Sequence, residues 1–197
     1  MDIVNEIKMQ YERVLCFEDS ERFKSIAEYY LTSAAKLRKK DIQSSGNRLL
    51  IRNSQKRLFL GVGCELLLKA YYLKNNYCVN KLTENFAGEK SPIHKLADIN
   101  PDHIKNGDTF TISPLIDKLS AVSDFDDIDT IERGLKIAMI FRNKEGHTSF
   151  STHQFDRSNY RDIENAVVSL YRNGFEQILH FRISMEKNEK AKFIIGT

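Results

Sequence analysis

The spacing of apolar and polar residues along this chain predicts helices almost throughout. In residues 3–17, 20–42 and 48–75, apolar residues recur every three or four positions, which is the period of an amphipathic helix. Ser20 has the side chain of a helix N-cap and begins the second of these patterns. The polar stretch 43–47, with sequence QSSGN, predicts a turn between the second and third helices.

The third pattern has an apolar centre, residues 58–73, that is hydrophobic nearly all round, as expected for a helix buried in a core. Glu65 and Lys69 are its only charges, and a spacing of four residues lets them pair on one helix face. Gly61 and Gly63 lower helix propensity by roughly 1 kcal/mol each relative to alanine. We expect their small size to allow neighbouring helices to approach closely.

The second half of the chain is less regular but shows the same helical period. Residues 76–111 carry one short predicted helix, which opens at Ser91-Pro92, and a predicted turn at 106–108. The later predicted helices begin at Ser113-Pro114, at Asp126 or Asp127, and near Ser158, and the last two end near Gly146 and Lys187. For the terminal sequence AKFIIGT, a short strand, an edge and a frayed end all remain open.

These patterns predict an all-α protein, an antiparallel up-and-down helical bundle with additional short helices. Nine glycines and three prolines in 197 residues favour long helices over a turn-rich β fold. The length suits a single domain over 1–197, with a bundle core at about 20–187 and an N-terminal helix at 3–17. A hydrophobic fraction of 41% and a charged fraction of 29% are typical of soluble globular proteins.

The N-terminus and the cysteines predict a cytoplasmic protein without a membrane partner. The start MDIVNE is polar and acidic, unlike a signal peptide, and no apolar run approaches the roughly 18 residues of a membrane span. An odd number of cysteines, at Cys16, Cys64 and Cys78, indicates reduced thiols. No metal-binding or cofactor-binding motif occurs, so we expect neither a metal nor a cofactor.

Basic residues are concentrated in one segment, although the net charge is only +3. Between positions 36 and 57 there are eight basic residues and one acid, whereas positions 117–132 are acidic. The basic segment is a candidate surface for RNA, and the alternative is that both segments are solvated helix faces. The candidate RNA-binding residues are Lys36, Arg38, Lys39, Lys40, Arg48, Arg52 and Lys56.

An arginine continues the apolar stripe of the helix that ends near Gly146. The stripe consists of Ile128, Ile131, Leu135 and Ala138, and four residues further on stands Arg142. Charged side chains are rarely buried without a partner. Asn143 follows, and Gly146 is a natural residue to end a helix, which would place His147 beyond the helix and let the chain turn its imidazole towards Arg142.

Arginine and histidine together could cut RNA without a metal. A guanidinium binds phosphate through a rigid fork of donors, and an imidazole exchanges protons near neutral pH. The spacing by itself is weak evidence, because chance gives about one such pair in a chain of this composition. The alternative is that Arg142 caps helix carbonyls and His147 is an ordinary loop residue.

The wider context resembles the HEPN superfamily. Its signature is an arginine, four to six residues and a histidine, with a polar residue directly after the arginine, and Arg142, Asn143 and His147 match it. The resemblance covers about 20–187 in the expected order, and it implies a HEPN-type bundle.

Two further segments are similar to parts of that superfamily. GCELLLKAYYL resembles the HEPN helix in which a lone glutamate, here Glu65, interrupts an apolar run and a Lys-Ala, here Lys69-Ala70, follows. PIHKLADI is similar to a His-x-Leu helix between the long helices, matched by His94 and Leu96.

The resemblance implies a metal-independent endoribonuclease, a toxin or an abortive-infection or phage-defence effector. The 2′-hydroxyl of the RNA would attack the adjacent phosphate and leave a cyclic phosphate. His147 would be the general acid or base, Arg142 would bind the phosphate, and Asn143 would orient it, with Glu65 and Lys69 in support. A homodimer and an antitoxin or defence-system partner protein are also implied.

Two features of the family qualify this prediction. HEPN toxins that pair with nucleotidyltransferase antitoxins often carry a tyrosine two residues after the histidine, where this chain has Ser149, so control by tyrosine modification is not expected. The family also has inactive members. The alternative function is therefore a non-catalytic HEPN-like module that binds RNA, a nucleotide or a protein.

Overall fold

Within the described residues, four long helices run antiparallel to one another in chain order. The computed structural model describes residues 2–7, 19–41, 46–147, 155, 157–183 and 192–196, with the backbone alone at 38–41, 106, 146, 147, 192 and 193. The long helices are α1 (Ser20–Asp41), α2 (Asn47–Lys74), α5 (Ile128–His147) and α6 (Arg157–Phe175), and two short helices, α3 (Ile112–Asp117) and α4 (Leu119–Val122), lie between α2 and α5.

Side-chain contacts fix the directions of the helices. Two of the contacts join the start of one long helix to the end of the next, and a third joins the last helix to the first. Together they define a closed up-and-down bundle. The contacts are Ser20 Oγ to Ala70 O at 2.8 Å, Arg172 Nη2 to Asp127 Oδ2 at 2.9 Å, and Tyr171 Oη to Glu28 Oε1 at 2.9 Å. The predicted antiparallel helical bundle is thus confirmed in its mainly helical architecture.

Of the N-terminal helix predicted at 3–17, residues 3–7 are helical and the rest lie outside the described residues.

Helix α2 is the central helix, as its apolar sequence predicts. Fourteen of its residues are buried, all between Lys56 and Leu73, and Tyr72 Oη donates a hydrogen bond to Leu115 O at 2.7 Å. Its two glycines have the predicted role. A Cβ at Gly61 would lie 2.6 Å from Ala138 O on α5, and a Cβ at Gly63 would lie 2.9 Å from Leu31 on α1.

Replacing Gly61 by alanine should destabilise the protein by about 1–3 kcal/mol, because the new methyl group meets the backbone of α5. Besides Ala138 O, Arg142 Cα would lie only 2.8 Å away. Gly63→Ala is the matched control, since it gains the same helix propensity, but its closest contact is the side chain of Leu31 at 2.9 Å, which can shift, and the nearest backbone atom, Ala27 O, is farther away at 3.3 Å. Urea unfolding measures both free energies. Equal losses at Gly61 and Gly63 would contradict a backbone contact between α2 and α5.

Two small antiparallel sheets correct the all-helical prediction. Strand β1 (Asn80–Leu82) pairs with β2 (Ile104–Thr109), and β3 (Ile178–Arg182) pairs with β4 (Lys192–Gly196). The terminal sequence therefore contains a strand, which is one of the three outcomes left open.

The last helix ends at Phe175 rather than near Lys187. Glu176 has a positive φ of 57°, and Gln177 N donates to Tyr171 O at 3.1 Å, so the backbone leaves the helix there. Residues 178–182 then alternate between exposed and buried. The buried carboxylate of Glu164 accepts a hydrogen bond from the backbone of Ile183, which holds the end of β3 against α6.

The segment between α2 and α3 also differs from the prediction. No α-helix opens at Ser91-Pro92, where the chain makes a turn, and Leu96 begins a 3-10 turn, Leu96–Asp98. The turn predicted at 106–108 lies inside β2, where Gly107 has a φ of 70°. A second 3-10 turn, Pro101–His103, precedes that strand.

The end of α5 requires a further correction. Helix α5 continues through Gly146 to His147 instead of stopping at Gly146. The physical reason is a partner for its last turn, because the carboxylate of Glu145 is paired with Arg57 on α2. Tertiary contact thus overrides the preference of glycine for a helix end.

Candidate active site at the crossing of α2 and α5

Close contact at Gly61 brings Arg142 on α5 against two charged residues of α2. Arg142 Nε lies 3.1 Å from Glu65 Oε2, and Glu65 Oε1 accepts a hydrogen bond from Lys69 Nζ at 2.8 Å. The pairing of Glu65 with Lys69 that the sequence predicts is present, and Arg142 is a second partner of the same carboxylate.

The charges at this crossing do not cancel. Lys69 and Arg142 contribute two positive charges and Glu65 one negative charge, which leaves one positive charge in excess. Lys69 is buried and also donates to Thr109 Oγ1 at 2.9 Å, so its ammonium group stays in the interior of the protein. Arg142, whose side chain is 34% exposed, presents the excess charge at the surface.

The guanidinium of Arg142 is therefore anchored at one side and accessible at the other. Its Nε faces the buried carboxylate of Glu65, while Nη1 donates to Oδ1 of the exposed Asn143 at 3.1 Å. Fixed donors with an uncompensated charge suit an anion, and arginine binds phosphate oxygens with two parallel donors. This arrangement brings together four of the predicted site residues: Arg142, Asn143, Glu65 and Lys69.

A second ion pair, which the sequence did not reveal, lies next to the first. Arg57 on α2 pairs with Glu145 on α5, and both side chains are only 3% exposed. Ser54 Oγ donates to the same carboxylate, and the guanidinium of Arg57 lies 5.2 Å from the ring centroid of Phe155. This pair is neutral and buried, so it fixes the last turn of α5 without adding to the excess charge.

His147 is the last residue of α5, one helical turn beyond Asn143, and its side chain lies outside the described residues. Because α5 is continuous, the predicted turn of the chain before His147 is wrong. Positions 142 and 147 are five apart in a helix, and such positions face about 140° away from each other. The helix backbone therefore does not turn position 147 back towards Arg142 of the same chain, as the sequence had led us to expect.

The basic segment at 36–57 lies at the same end of the bundle as the end of α5. Lys36 is near the end of α1, and Arg48 and Arg52 are in the first turns of α2, close to the part of α2 that Glu145 contacts. Lys36 and Arg48 are exposed and Arg52 is half-buried. The side chains of Arg38, Lys39 and Lys40 lie outside the described residues.

Lys56 is a correction to the predicted RNA surface. It is 5% exposed, because Nζ donates to Asn53 Oδ1 at 3.0 Å and lies 4.9 Å from the ring centroid of Tyr160. An ammonium held over an aromatic ring in this way serves the packing of α2 against α6.

The described cysteines are unsuited to nucleophilic chemistry. Burial raises the pKa of the Cys64 thiol to about 12 and also raises the pKa of Cys78. Both thiols therefore stay protonated near neutral pH.

In the described part of the chain, histidine, cysteine and acidic residues form no cluster of three that could hold a metal ion. None of the helices described is long and apolar enough to cross a membrane.

Comparison with models of known families, with curated proteins and with solved structures gave no match.

Proposed function

We propose that this protein is a metal-independent endoribonuclease of HEPN type that cuts RNA at the crossing of α2 and α5. One observation carries the proposal: a partly exposed arginine presents an uncompensated positive charge at the position where the sequence resembles the HEPN signature. We further propose a cytoplasmic toxin or abortive-infection effector in phage defence, controlled by an antitoxin or another defence-system protein.

The proposed reaction is a transfer of the phosphate within the RNA. The 2′-oxygen forms a bond to phosphorus, the bond from phosphorus to the 5′-oxygen breaks, and the products are a cyclic phosphate and a 5′-hydroxyl. Arg142 binds the phosphate and stabilises the negative charge that grows on it. Asn143 orients a phosphate oxygen, and His147 moves a proton to or from the reacting oxygens. Glu65 and Lys69 hold the guanidinium in place.

The active unit that we propose is a homodimer. The reaction needs a base for the 2′-hydroxyl and an acid for the leaving oxygen, whereas the signature supplies one histidine per chain. Positions 142 and 147 also diverge on the continuous helix α5. A two-fold axis near the end of α5 would place two arginines and two histidines around one groove. The exposed Lys36 and Arg48 would then lie at the rim and attract RNA.

The central experiment is RNA cleavage in the presence of EDTA. We expect wild type to cut total RNA and leave cyclic phosphate ends, and His147→Ala to lose cleavage by about 100-fold or more, as removal of an acid or base does. His180→Ala is the control, since His180 is exposed on β3. Cleavage that requires an added metal, or that survives in His147→Ala, would contradict the mechanism. RNA that binds without being cut would favour the non-catalytic module instead.

Light scattering, together with subunit mixing in the cleavage assay, tests the homodimer. Light scattering should give twice the chain mass at the active concentration, and excess His147→Ala subunits, once exchanged, should lower activity below the wild-type fraction. A monomer that cuts RNA would refute the shared site.

A further inference from the structure

An open cleft beside β1 and β2 has no part in the mechanism above. Its volume is about 240 Å³, and it is lined by Lys81, Leu82, Glu84, Lys90, Lys105 and Phe110. Three cations and one acid give the lining a positive balance, while leucine, phenylalanine and the lysine stems make its walls apolar. A positive rim around an apolar floor suits a ligand with an anionic group on a less polar body.

The ammonium groups of the cleft are available to such a ligand. Lys81 lies 3.7 Å from Asp108, and Lys90 lies 3.9 Å from Glu84. Both lysine side chains are nearly half exposed, and ion pairs that are exposed and long contribute little to stability. Lys105 is also exposed. All three lysines can therefore turn towards a phosphate at little cost.

Strand β1, which lines the cleft with Lys81 and Leu82, also carries a buried polar side chain. Asn80 is fully buried next to Lys81, and neither its Oδ1 nor its Nδ2 has a partner among the described residues. Buried amides almost always have hydrogen-bond partners. Asn80 is not among the residues that line the cleft, so recognition of the ligand rests on the three lysines.

The cleft is connected to the Arg142 site through consecutive contacts. Lys69, the partner of Glu65, donates to Thr109 Oγ1. Thr109 is paired with Asn80 across β1 and β2, and the next residue, Phe110, lines the cleft. The network of Arg142, Glu65 and Lys69 therefore ends where the wall of the cleft begins.

We infer that this cleft binds a nucleotide phosphate, and that in the working enzyme it holds a nucleotide of the RNA that flanks the scissile phosphate. Lys81, Lys90 and Lys105 bind the phosphate, and Leu82 and Phe110 contact the sugar or base. The assignment to RNA rests on the proposed function, whereas the phosphate chemistry does not, because a free nucleotide offers the same group.

Binding of RNA without cleavage tests this inference. The triple variant Lys81→Gln, Lys90→Gln, Lys105→Gln is made in the His147→Ala chain, and its affinity for a short fluorescent single-stranded RNA is measured by anisotropy over a range of salt. The control is Arg133→Gln, Lys136→Gln, Arg172→Gln, which removes three other exposed cations, each of them paired with an acid. Binding of 5′-AMP and of inorganic phosphate is measured by calorimetry on the same proteins.

We expect the cleft variant to bind RNA about tenfold more weakly than the control at low salt. We also expect its plot of log K against log salt to be shallower by about 0.7 for each phosphate that the variant no longer binds. If 5′-AMP also binds, and only when the three lysines are present, the cleft recognises the nucleotide itself. If RNA affinity falls while 5′-AMP and phosphate do not bind, the longer chain is required, and the inference still holds.

Two results would overturn the inference. If 5′-AMP binds while the RNA affinity of the cleft variant equals that of the control, the ligand is a free nucleotide and the flanking-nucleotide role is wrong. If neither RNA nor nucleotide binding depends on the three lysines, the cleft is not a phosphate site. Wild-type cleavage is scored separately, so a cleft that binds RNA in a protein that cuts none refutes only the proposed nuclease.

Discussion

Replacing Arg142 by lysine should lower RNA cleavage by about 100-fold to 1,000-fold, the usual effect of removing one donor that stabilises charge in a transition state. Lysine keeps the positive charge but offers a single ammonium instead of a planar fork. The fold should persist, because Glu65 retains Lys69 as a partner at 2.8 Å. Initial rates in EDTA and thermal melting, measured on the same preparation, give the two results.

The matched control is Arg133→Lys, on the same helix. Arg133 is exposed and pairs with Asp162 at 2.9 Å, so the substitution changes one surface contact only. We expect its cleavage rate to stay within about twofold of wild type, since surface ion pairs contribute little. Equal rates for Arg142→Lys and wild type would show that the fork of Arg142 is not used in the reaction.

Glu65→Ala should destabilise the protein by about 3–5 kcal/mol, since removing one partner of a buried ion pair leaves a buried charge uncompensated. The charge left behind is that of Lys69, which is 6% exposed. In a chain of this length we expect a fall in Tm of about 10 °C. Urea unfolding gives the free energy directly.

An exposed pair of the same geometry serves as the control. Lys136 and Glu132 are also four residues apart and 2.8 Å from each other, but the lysine side chain is 51% exposed, so Glu132→Ala should cost less than about 1 kcal/mol. A third variant, Glu65→Met with Lys69→Met, should recover much of the stability and still cut RNA poorly, because Arg142 has lost its anchor. Similar losses at Glu65 and Glu132 would refute the buried pair.

The helices were predictable because their burial follows a local period. Residues 58–73 are apolar on nearly every side, with Glu65 and Lys69 as the only charges, and such a segment has few alternatives to a central helix. The strand at 178–182 was not predictable in this way, since a short apolar run fits either period. Residues 178–182 form a strand because the chain leaves the helix at Glu176, which has a positive φ, and because Ile183 N donates a hydrogen bond to the buried Glu164. Neither feature has a sequence signature.

In the candidate site too, features that are local in the sequence were predictable and contacts between distant residues were not. The spacing of Glu65 and Lys69 and the placement of Arg142 on an apolar stripe are local properties, and the sequence predicted that these charges need partners. The pair of Arg57 with Glu145 joins residues 88 positions apart, so it becomes visible only when the neighbouring helices are known. The contact of the Lys56 ammonium with the ring of Tyr160 is missed for the same reason.

Gly61 has a consequence for how the site could be altered. Helix α5 meets α2 where α2 has no side chain, and one turn to either side stand Arg57 and Glu65, which are too large to admit a backbone. Steric contact at Gly61 therefore sets the register between α2 and α5. The positions of the charged residues follow from that register. A designer could replace Glu65 and Lys69 together by apolar residues and expect the two helices to keep their alignment, ready to be given a different chemistry.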